Sequence, residues 1–571
     1  MGLDRTMKFK DLKDMLKQSG EKYGDRPAYI LQEETGNRTI THKQFRNEIN
    51  NLGTALIEMG LKGKKIAVIS ENRYEWEVAY LAIATGTGIV VPLDKALPAN
   101  EIESLIVRSG AEAIFYSEKY EEIMSSIQKN GNTKLKYFIS MDLGKNEFNK
   151  FSQKEITKKG KELLESGNKE FVDAEINNEE MQIMLFTSGT TSRSKAVMLS
   201  HKNICTNVMD IRSTFELDET DTFLSFLPLH HTFECSVGFL YPVSIGSCIV
   251  FSKGVRHIAD ELKEFKITAM ICVPVVFDKM YEKLLKNIEQ KGKLGTVKKA
   301  SKVSNVLLKC GVDVRRRLFD EIHENLGGHI RVLVAGGAAL NPETEKGFVS
   351  LGFNLLQGYG LTETSPVVAA ELTHQRRLGS IGKKFPSVEV KLENVDPETK
   401  VGELLVKGDS VMLGYYENDE ANKEVFTEDG WFRTGDYARI DKDGYIFISG
   451  RKKFIIVLQN GKNVYPEELE TLVDNIPLVS ESMVYGTPEP DGDTKICVKV
   501  VYNKEYIQEK YGDISEEEIK NMIWKEIKAV NRTMPKYKYI KSLIITDTEF
   551  EKTTTNKIKR AQETEKILQA K

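Results

Sequence analysis

A run of small polar residues, TSGTTSRSKA, extends from Thr187 to Ala196 between two apolar segments. The hydroxyl groups and backbone N–H groups of such a run can converge on an anion, and Lys195 adds a mobile positive charge. This combination predicts a loop that binds the phosphates of a nucleotide. The residues assigned to it are Thr187, Ser188, Gly189, Thr190, Thr191 and Lys195.

A Walker A loop is the familiar alternative, and two positions argue against it. That motif needs Gly before its Lys and Ser or Thr after it, whereas this chain has Ser194 and Ala196. The apolar runs at 183–186 and 197–199 predict strands on both sides, and the next helix is expected only near Ser200. Because a single Ser/Thr-rich run is often a solvated surface loop without a ligand, the interpretation depends on further motifs.

Three later segments add chemistry of the kind that a nucleotide needs. VAGGAAL, at residues 334–340, follows a predicted strand, where small residues let a planar ligand lie close to the backbone. Glu363 in QGYGLTETSP offers a carboxylate, the ligand type that Mg2+ prefers. Asp436, which ends GWFRTGD, can accept two hydrogen bonds from ribose hydroxyls. Each feature alone has a plain alternative, since turns rich in Gly and solvated carboxylates are common.

In sequence order, these segments resemble the signatures of the adenylate-forming superfamily, which includes acyl-CoA synthetases, peptide-synthetase adenylation domains and luciferases. The first loop is similar to the TSGTTGxPKGV signature, and KTTTNKIKR at 552–560 is similar to PKTxxGKIxR. LPLHHTFE at 227–234 and GRKKF at 450–454 also have counterparts, so the resemblance covers nearly the whole chain. The motifs are most similar to those of long-chain fatty acid–CoA ligases. The chain departs from the signatures at Ser192, Ser194, Ala196, Phe454 and Asn556.

The resemblance implies how a nucleotide would be held. Tyr359 would stack on adenine and Thr362 would contact the α-phosphate, while Glu363 and Thr190 would be the ligands of Mg2+. Asp436 would hold the ribose. The other positions that the resemblance assigns to ATP are Gly336, Gly337, Ala338, Gly358, Gly360, Arg451 and Gly461.

The resemblance also implies which residues carry the reaction. His231 lies in the segment that lines the carboxylate pocket of the family, and Lys557 corresponds to its catalytic lysine. Thr362 and Glu363 complete the set of expected catalytic residues. Lys453 would be the hinge between a large and a small domain.

Length and composition limit the partners of the protein. A chain of 571 residues exceeds the size of one hydrophobic core, which predicts two or more domains. The 81 basic and 84 acidic residues give a net charge of −3, so nothing favours a nucleic-acid partner. No apolar run approaches the roughly 20 residues that span a bilayer, which leaves peripheral association as the form of membrane contact to consider. Six scattered cysteines without CxxC pairs favour reduced thiols and a cytoplasmic protein.

The apolar runs predict an α/β fold. Strands expected at 66–69, 89–93 and 113–116 alternate with helical patterns, and the pairs Thr41 with Gln44 and Asn100 with Glu103 are expected to cap helices. The alternation resumes after the polar loop, and residues 145–178, which are rich in lysine, are expected to be a surface connection. Further strands are expected at 222–226, 248–251, 269–273 and 331–335.

These patterns predict a large N-terminal domain, residues 1–450, built from two stacked α/β subdomains and a small β-rich subdomain near 388–416. A small, mobile α+β domain is expected at residues 451–571 and would carry the catalytic lysine.

The resemblance predicts an AMP-forming ligase that converts a long-chain fatty acid, through an acyl-adenylate, to its CoA thioester, using ATP, Mg2+ and CoA. Three alternatives within the superfamily stay open: an acyl carrier protein as the acceptor, a different carboxylic acid, and an oxidase similar to luciferases. An alternative of another class is a nucleotide- and lipid-binding sensor without turnover, which the departures from the signatures suggest.

Overall fold

The computed structural model describes residues 7–187, 194–459, 462–489, 494–553 and 557–569. The chain forms two compact units. The first comprises Met1–Leu378, Gly382–Glu389 and Lys407–Phe426, and the second comprises Gly379–Ile381, Val390–Val406 and Thr427–Lys571. Several residues singled out in the sequence lie outside the described residues, namely Ser188, Gly189, Thr190, Thr191, Ser192, Gly461 and Asn556.

The strands are short, and most of them are apolar. They are β1 Pro27–Glu33, β2 Gly36–Thr41, β3 Lys65–Ile69, β4 Ile89–Pro92, β5 Ala113–Tyr116, β6 Tyr137–Ser140, β7 Phe151–Ser152, β8 Met181–Thr187, β9 Lys195–Ser200, β10 Thr222–Ser225, β11 Cys248–Phe251, β12 Ala269–Cys272, β13 Val332–Ala335, β14 Leu355–Gly360, β15 Val367–Ala370, β16 Lys383–Lys384, β17 Val388–Glu393, β18 Gly402–Gly408, β19 Gly414–Tyr415, β20 Phe432–Ile440, β21 Ile446–Arg451, β22 Ile456–Val457, β23 Asn463–Val464, β24 Val479–Pro488, β25 Thr494–Tyr502 and β26 Ser542–Thr546.

Helices separate many of these strands along the chain. They are α1 Leu12–Lys22, α2 His42–Glu58, α3 Tyr74–Ala82, α4 Ala99–Ser109, α5 Glu121–Asn130, α6 Gln153–Glu165, α7 His201–Thr214, α8 Tyr241–Ile245, α9 Ile258–Glu264, α10 Pro274–Gln290, α11 Leu294–Lys309, α12 Arg315–Leu318, α13 Asp320–Asn325, α14 Pro342–Ser350, α15 Asp419–Val425, α16 Pro466–Val473, α17 Lys504–Tyr511, α18 Glu516–Asn531 and α19 Arg560–Gln569.

The first unit is built on two mixed sheets, which matches the predicted pair of α/β subdomains. One has nine strands in the order β16-β15-β14-β13-β12-β10-β11-β1-β2, and its central strands are parallel. The other has eight strands in the order β19-β9-β8-β4-β3-β5-β6-β7. The two sheets exchange strands along the sequence, because β1 and β2 join the later sheet and β19 joins the earlier one.

The second unit contains three smaller sheets. Strands β17, β18, β20 and β21 form one, β22 and β23 form a short pair, and β24, β25 and β26 form the third. Helices α16 and α18 contribute Leu469, Ile523 and Ile527 to a core that includes Val498 of β25. This is the α+β arrangement expected for the end of the chain.

Every strand predicted from an apolar run in the first half of the chain is present, within one or two residues of its expected limits. The cap at Thr41 is also confirmed, because its side chain and that of Gln44 form a reciprocal capping box. The cap at Asn100 is wrong. Helix α4 begins at Ala99 behind Pro98, so Asn100 lies within its first turn.

The prediction of a surface connection at 145–178 is wrong as well. These residues include α6, which packs against α2 and buries Ile156. At Gly160 a Cβ would lie 1.7 Å from the carbonyl oxygen of Asn51, so the two helices touch where one residue has no side chain. The lysines of α6 are on its exposed face. Their number in the sequence led to the prediction of a solvated surface segment.

None of the helices in the described part of the chain is long and apolar enough to cross a membrane. All six cysteines are unpaired, and Cys310 is the exposed one. The sequence expectation of free thiols is therefore met.

Candidate functional site

The ends of the predicted phosphate loop are held by a β-hairpin of the first unit. Strands β8 and β9 are antiparallel, and Thr187 pairs directly with Lys195. The Thr187 hydroxyl donates to the Lys195 carbonyl oxygen at 3.3 Å. Helix α7 begins only after Ser200, whose side chain caps it. The described ends of the loop thus lie on two paired strands, as predicted, and not on the strand and helix that flank a Walker A loop.

Arg108 of α4 fixes the far end of the same loop. Its guanidinium donates to the Ser194 hydroxyl at 3.0 Å and to the Ser194 carbonyl at 2.6 Å, and it lies over the Phe186 ring at 5.2 Å. Proline at 194, as in the family signature, would lack the hydroxyl acceptor. Ala196 lies within β9 opposite Phe186, where the backbone is extended and no glycine is needed. Two of the departures from the signature therefore fit the local structure.

Tyr415 connects the predicted phosphate-binding lysine to the predicted metal ligand. The Lys195 ammonium lies 4.7 Å from the centre of the Tyr415 ring, and the Tyr415 hydroxyl donates to Glu363 Oε1 at 2.8 Å. Burial and the neighbouring Glu363 raise the pKa of Tyr415, so the hydroxyl keeps its proton and remains a donor. The ring is placed by pairing of β19 with β9, in which Tyr415 lies opposite Val197.

Glu363 follows β14 in a short helical turn, Thr362–Thr364. Tyr359, Thr362 and Glu363 are all partly exposed, as groups that meet a ligand must be. At Gly360 a Cβ would lie 2.0 Å from the Pro366 carbonyl oxygen, so only glycine lets β14 approach this backbone so closely. A Cβ at Gly358 would meet only ordinary contacts, the nearest at 3.7 Å.

The glycines at 336 and 337 have different roles. A Cβ at Gly336 would lie 2.8 Å from the ring of Phe233, so Gly336 packs against the segment that contains His231. Gly337 has a φ of 83°, which favours glycine, and both it and Ala338 are exposed. Leu340 N donates to Gln357 Oε1 at 3.1 Å and so ties this loop to β14. Three sequence motifs therefore meet in the first unit.

His231 lies beside two further polar side chains that the sequence did not single out. His230 Nε2 is 3.3 Å from Asp94 Oδ1, and the two imidazole rings are 4.1 Å apart. One donor atom from each of Asp94, His230 and His231 falls within 4.8 Å of the others. Side chains at these distances can hold a divalent ion, and the imidazoles can donate to a carboxylate.

Glu234, at the end of the same segment, is fully buried. It accepts a hydrogen bond from the Ser225 hydroxyl at 2.6 Å, and a Cβ at Gly238 would lie 2.7 Å from its carboxyl group. Burial raises the pKa of Glu234 from 4.5 to about 8, in opposition to the hydrogen bond from Ser225. Near neutral pH the side chain is therefore mostly a neutral acid.

Glu234→Gln is expected to flatten the dependence of stability on pH. Between about pH 4.5 and pH 8 the unfolded chain releases a proton that folded Glu234 keeps, so the free energy of unfolding of the wild type falls as pH rises. Gln cannot titrate and removes this contribution. Urea unfolding of both proteins across this range checks the prediction, and parallel pH profiles would show that Glu234 is ionised in the folded protein.

In the second unit, the buried Asp436 forms an ion pair with the partly exposed Arg451. They lie opposite each other on β20 and β21, and Arg451 Nε is 3.0 Å from Asp436 Oδ1. Asp436 is 3% exposed, and its N–H donates to the Thr434 hydroxyl at 3.1 Å. The preceding Gly435 has a φ of 70°, which lets the strand turn before the carboxylate. Two predicted nucleotide ligands are thus brought together.

Lys453 follows Arg451 in a single helical turn, Lys452–Phe454. Partial burial of its ammonium, together with the charges of Arg451 and Lys557, lowers the pKa of Lys453 to about 8, although the residue as a whole is exposed. The predicted hinge and the predicted catalytic lysine are therefore neighbours within one unit.

Phe454, which replaces the usual acidic residue of the family signature, contacts two basic side chains. Its ring has the Lys453 ammonium 4.7 Å from its centre and the Arg560 guanidinium 5.0 Å from its centre. Arg560 in turn forms an ion pair with Glu470. An aromatic ring can hold two cations where an acidic side chain would otherwise do so. The segment after β21 is thereby fixed to the start of α19.

Lys557 is exposed at the end of the segment that leads into α19. Its N–H donates to the Thr553 hydroxyl at 3.2 Å, and the Thr553 N–H donates to the Lys557 carbonyl at 2.8 Å. Lys552 and Ile558 form an antiparallel bridge around it. These contacts fix the backbone on both sides of the exposed Lys557.

Two family models match the chain. One, described as AMP-binding enzyme, matches residues 16–416, and the other, described as AMP-binding enzyme C-terminal domain, matches residues 453–569. The first covers the polar loop, His231 and Glu363, and the second covers Lys557. Asp436 and Arg451 fall between the two matches.

Individual relatives and a solved structure are similar to the chain over most of its length. The chain is 29% identical over 471 residues to the long-chain-fatty-acid–CoA ligase FadD15 of Mycobacterium bovis, across 79% of this chain and 76% of the relative. It is 27% identical over 598 residues to the chloroplastic long-chain-fatty-acid–[acyl-carrier-protein] ligase AEE15 of Arabidopsis thaliana, across 92% and 80%. ATP-bound MatB from Rhodopseudomonas palustris shares the fold, with a TM-score of 0.75 at 23% identity over 97% of this chain and 99% of that one.

Proposed function

The chain belongs to the family of AMP-binding enzymes, and we propose that it is an acid–thiol ligase that converts a long-chain fatty acid to its acyl-CoA thioester. ATP would be the energy source, with AMP and pyrophosphate as products. The observation that carries the proposal is the line of contacts from Lys195 through Tyr415 to Glu363. It places a cation and a carboxylate beside a loop with the family's phosphate-binding signature.

The choice of acid rests on relatives. FadD15 of Mycobacterium bovis is named a long-chain-fatty-acid–CoA ligase. The Arabidopsis relative is named for the same class of acid with a carrier protein as acceptor. Long-chain fatty acid is therefore the substrate class that we propose, with CoA as the acceptor and acyl carrier protein as the second candidate.

In the first half-reaction, a carboxylate oxygen of the acid attacks the α-phosphorus of ATP, and pyrophosphate leaves with the electrons of the broken P–O bond. His231 would orient the carboxylate, and Thr187 and Lys195 would hold the phosphates. Thr362 would contact the α-phosphate, and Lys557 would balance the negative charge that develops around it. Bringing two anions together is the main electrostatic cost of this step, which is why cations are needed.

Tyr359, Asp436 and Arg451 would hold the rest of the nucleotide. The partly exposed Tyr359 ring can stack on adenine, with Gly337, Ala338 and Gly358 leaving space near the backbone. Gly336 and Gly360 would act indirectly, by letting the backbone of the site pack closely against Phe233 and Pro366. The Asp436 carboxylate can accept from the ribose hydroxyls, and Arg451 forms an ion pair with the same carboxylate.

Glu363 fits a magnesium ion. Its Oε1 accepts from Tyr415, and its Oε2 has no partner among the described residues, so one carboxylate oxygen is available to a hard cation. Glu363 would therefore hold the ion, with Thr190 as the second ligand that the sequence suggests. A bound Mg2+ supplies positive charge to phosphate oxygens.

Glu363→Ala is expected to raise the Mg2+ concentration needed for half-maximal activity steeply, because the main protein ligand of the ion is removed. Tyr415→Phe is the matched control. It keeps the carboxylate and the ring over which Lys195 lies, and it removes only the hydrogen bond to Glu363. Mg2+ titrations of both variants check this, and an unchanged Mg2+ requirement in Glu363→Ala would remove the assignment.

In the second half-reaction, the CoA thiolate attacks the carbonyl carbon of the acyl-adenylate and AMP leaves. We propose that the small domain, residues 451–571, turns about Lys453 relative to residues 1–450 between the two steps. The reason is chemical: Lys557 is needed over the phosphates in the first step, and the thiol needs that same space once the acyl-adenylate has formed. Hinge motions of this kind are absorbed by a few residues at a domain boundary.

Exchange of labelled pyrophosphate into ATP tests the enzyme class. We expect exchange that depends on a long-chain fatty acid and does not require CoA, because adenylation alone is reversible. A sensor that binds nucleotide and lipid without turnover would give no exchange at any acid concentration.

A further inference from the structure

Exposed apolar side chains are concentrated in one short segment of the first unit. Six of the sixteen exposed large hydrophobic residues in the described part of the chain lie within residues 303–318. Single exposed apolar residues are ordinary on protein surfaces, but a cluster marks a surface that meets a partner. The six are Val303, Val306, Leu307, Leu308, Val312 and Leu318.

Helix α11 carries most of this cluster on a face turned away from the protein. Ser304 is fully buried, and Asn305 donates to the Ser350 hydroxyl of α14 at 3.2 Å, so one face of α11 is anchored. Val303 and Val306 are each 61% exposed. Leu307 follows them at helical spacing, so the three side chains form one stripe that faces solvent.

The stripe lies in a strongly basic stretch. Residues 291–317 contain nine Lys or Arg residues and one acidic residue, Asp313, although the whole chain has a net charge of −3. Lys298, Lys299, Lys302 and Lys309 of α11 are exposed and form no ion pair with any described residue. Their charges are therefore available to an anionic partner.

We propose that α11 and the adjoining α12 form a docking surface for an anionic phospholipid bilayer. Valine and leucine side chains would enter the boundary between headgroups and acyl chains, and the lysines would reach the lipid phosphates through their flexible stems. Each basic residue near an anionic membrane adds to the attraction. This surface concerns where the protein binds and does not depend on the reaction proposed above.

Two other kinds of partner fit the surface less well. Lysine is depleted at protein–protein interfaces, whereas here four lysines accompany the stripe. Nucleic-acid surfaces that bind single strands combine basic residues with aromatic rings, and residues 291–318 contain no aromatic residue. An apolar stripe flanked by lysines is the pattern of a helix that lies in a membrane interface.

Co-sedimentation of the full-length protein with vesicles tests the proposal. We expect binding to vesicles of phosphatidylcholine mixed with phosphatidylglycerol, and little binding to phosphatidylcholine alone. Replacing Lys298, Lys299, Lys302 and Lys309 by Gln should weaken binding to the mixed vesicles by about a thousandfold. Replacing Val303, Val306 and Leu307 by Ser should also release the protein, with all four lysines still in place.

Helix α6 provides the matched control. Its four exposed lysines, Lys154, Lys158, Lys159 and Lys161, lie on a helix without an exposed large apolar residue. Changing these four to Gln removes the same charge and should leave vesicle binding unchanged. Three outcomes would overturn the proposal: no binding to mixed vesicles, equal binding to both vesicle types, or equal loss in the α6 and α11 lysine variants. Equal thermal unfolding temperatures confirm that each variant is folded.

Discussion

Lys557→Ala is expected to lose acyl-adenylate formation by orders of magnitude while it still converts supplied acyl-adenylate and CoA to the thioester. The lysine charge is needed only where the carboxylate meets the phosphate, and no such meeting of anions occurs in the second half-reaction. Rapid-quench assays of the two half-reactions, each started from its own substrates, measure the difference.

Lys559→Ala is the control for this variant. Lys559 is also exposed, lies two residues further along the same segment and forms no ion pair among the described residues. It should leave both half-reactions unchanged. Equal loss of both half-reactions in Lys557→Ala would show that the residue supports the fold of the second unit and has no special role in adenylation.

Lys453→Pro is expected to have the inverse effect, with adenylation preserved and thioester formation lost. Proline fixes φ near −65° and restricts the preceding Lys452, so a pivot at this position could no longer change its backbone angles. Lys453 lies in the middle of a single helical turn between β21 and β22. The measurement is the rate of thioester formation from supplied acyl-adenylate.

Lys453→Ala separates the backbone from the side chain. It removes the ammonium, which is a neighbour of Arg451 and Lys557, but leaves the backbone free to turn. Thioester formation should therefore survive in Lys453→Ala and fail in Lys453→Pro. If a Lys453→Pro protein of normal thermal stability forms thioester at the wild-type rate, the pivot is elsewhere or the two domains do not alternate.

The sequence predicts the parts of this structure that depend on local pattern. Short apolar runs between polar segments give the central strands of both large sheets, and Ser200 gives the start of α7. Gly336 and the segment of His231 follow β13 and β10 of the same sheet, but β12 lies between these strands, so their contact is not evident from the sequence. Local pattern fails at α6, which packs against α2 and lets the two helices approach closely at Gly160, a tertiary contact that the lysine-rich sequence does not indicate.

Residues that act through distant contacts could not be predicted in this way. Arg108 reaches Ser194 across 86 residues of sequence, and Tyr415 reaches Glu363 across 52. Nothing in the local sequence indicates either contact, because each depends on which strands lie side by side in the folded sheet. Two sequence signals favour a role for Tyr415 in the site. They are the predicted strand near residue 414 and the adjacent tyrosines Tyr415 and Tyr416. Asp94 is brought to the adjacent pair His230 and His231 in the same manner.

Phe454 illustrates how a departure from a family signature becomes interpretable. From the sequence alone, Phe454 is only an unexplained replacement of an acidic residue beside the predicted hinge, Lys453. In the structure its ring lies between Lys453 and Arg560, which belong to the two segments that the proposed mechanism requires. The departure is thus matched by a different contact, and this favours an active enzyme over a sensor without turnover.

The central claim is tested most directly by AMP release across a panel of carboxylic acids of increasing chain length, with and without CoA. The account predicts sustained AMP release only when a long-chain acid, ATP and CoA are all present, with acyl-CoA formed in equal amount. Multiple turnovers of AMP without CoA, or sustained release only with an acyl carrier protein, would contradict the proposed acceptor. No AMP release with any acid would contradict the proposed ligase itself.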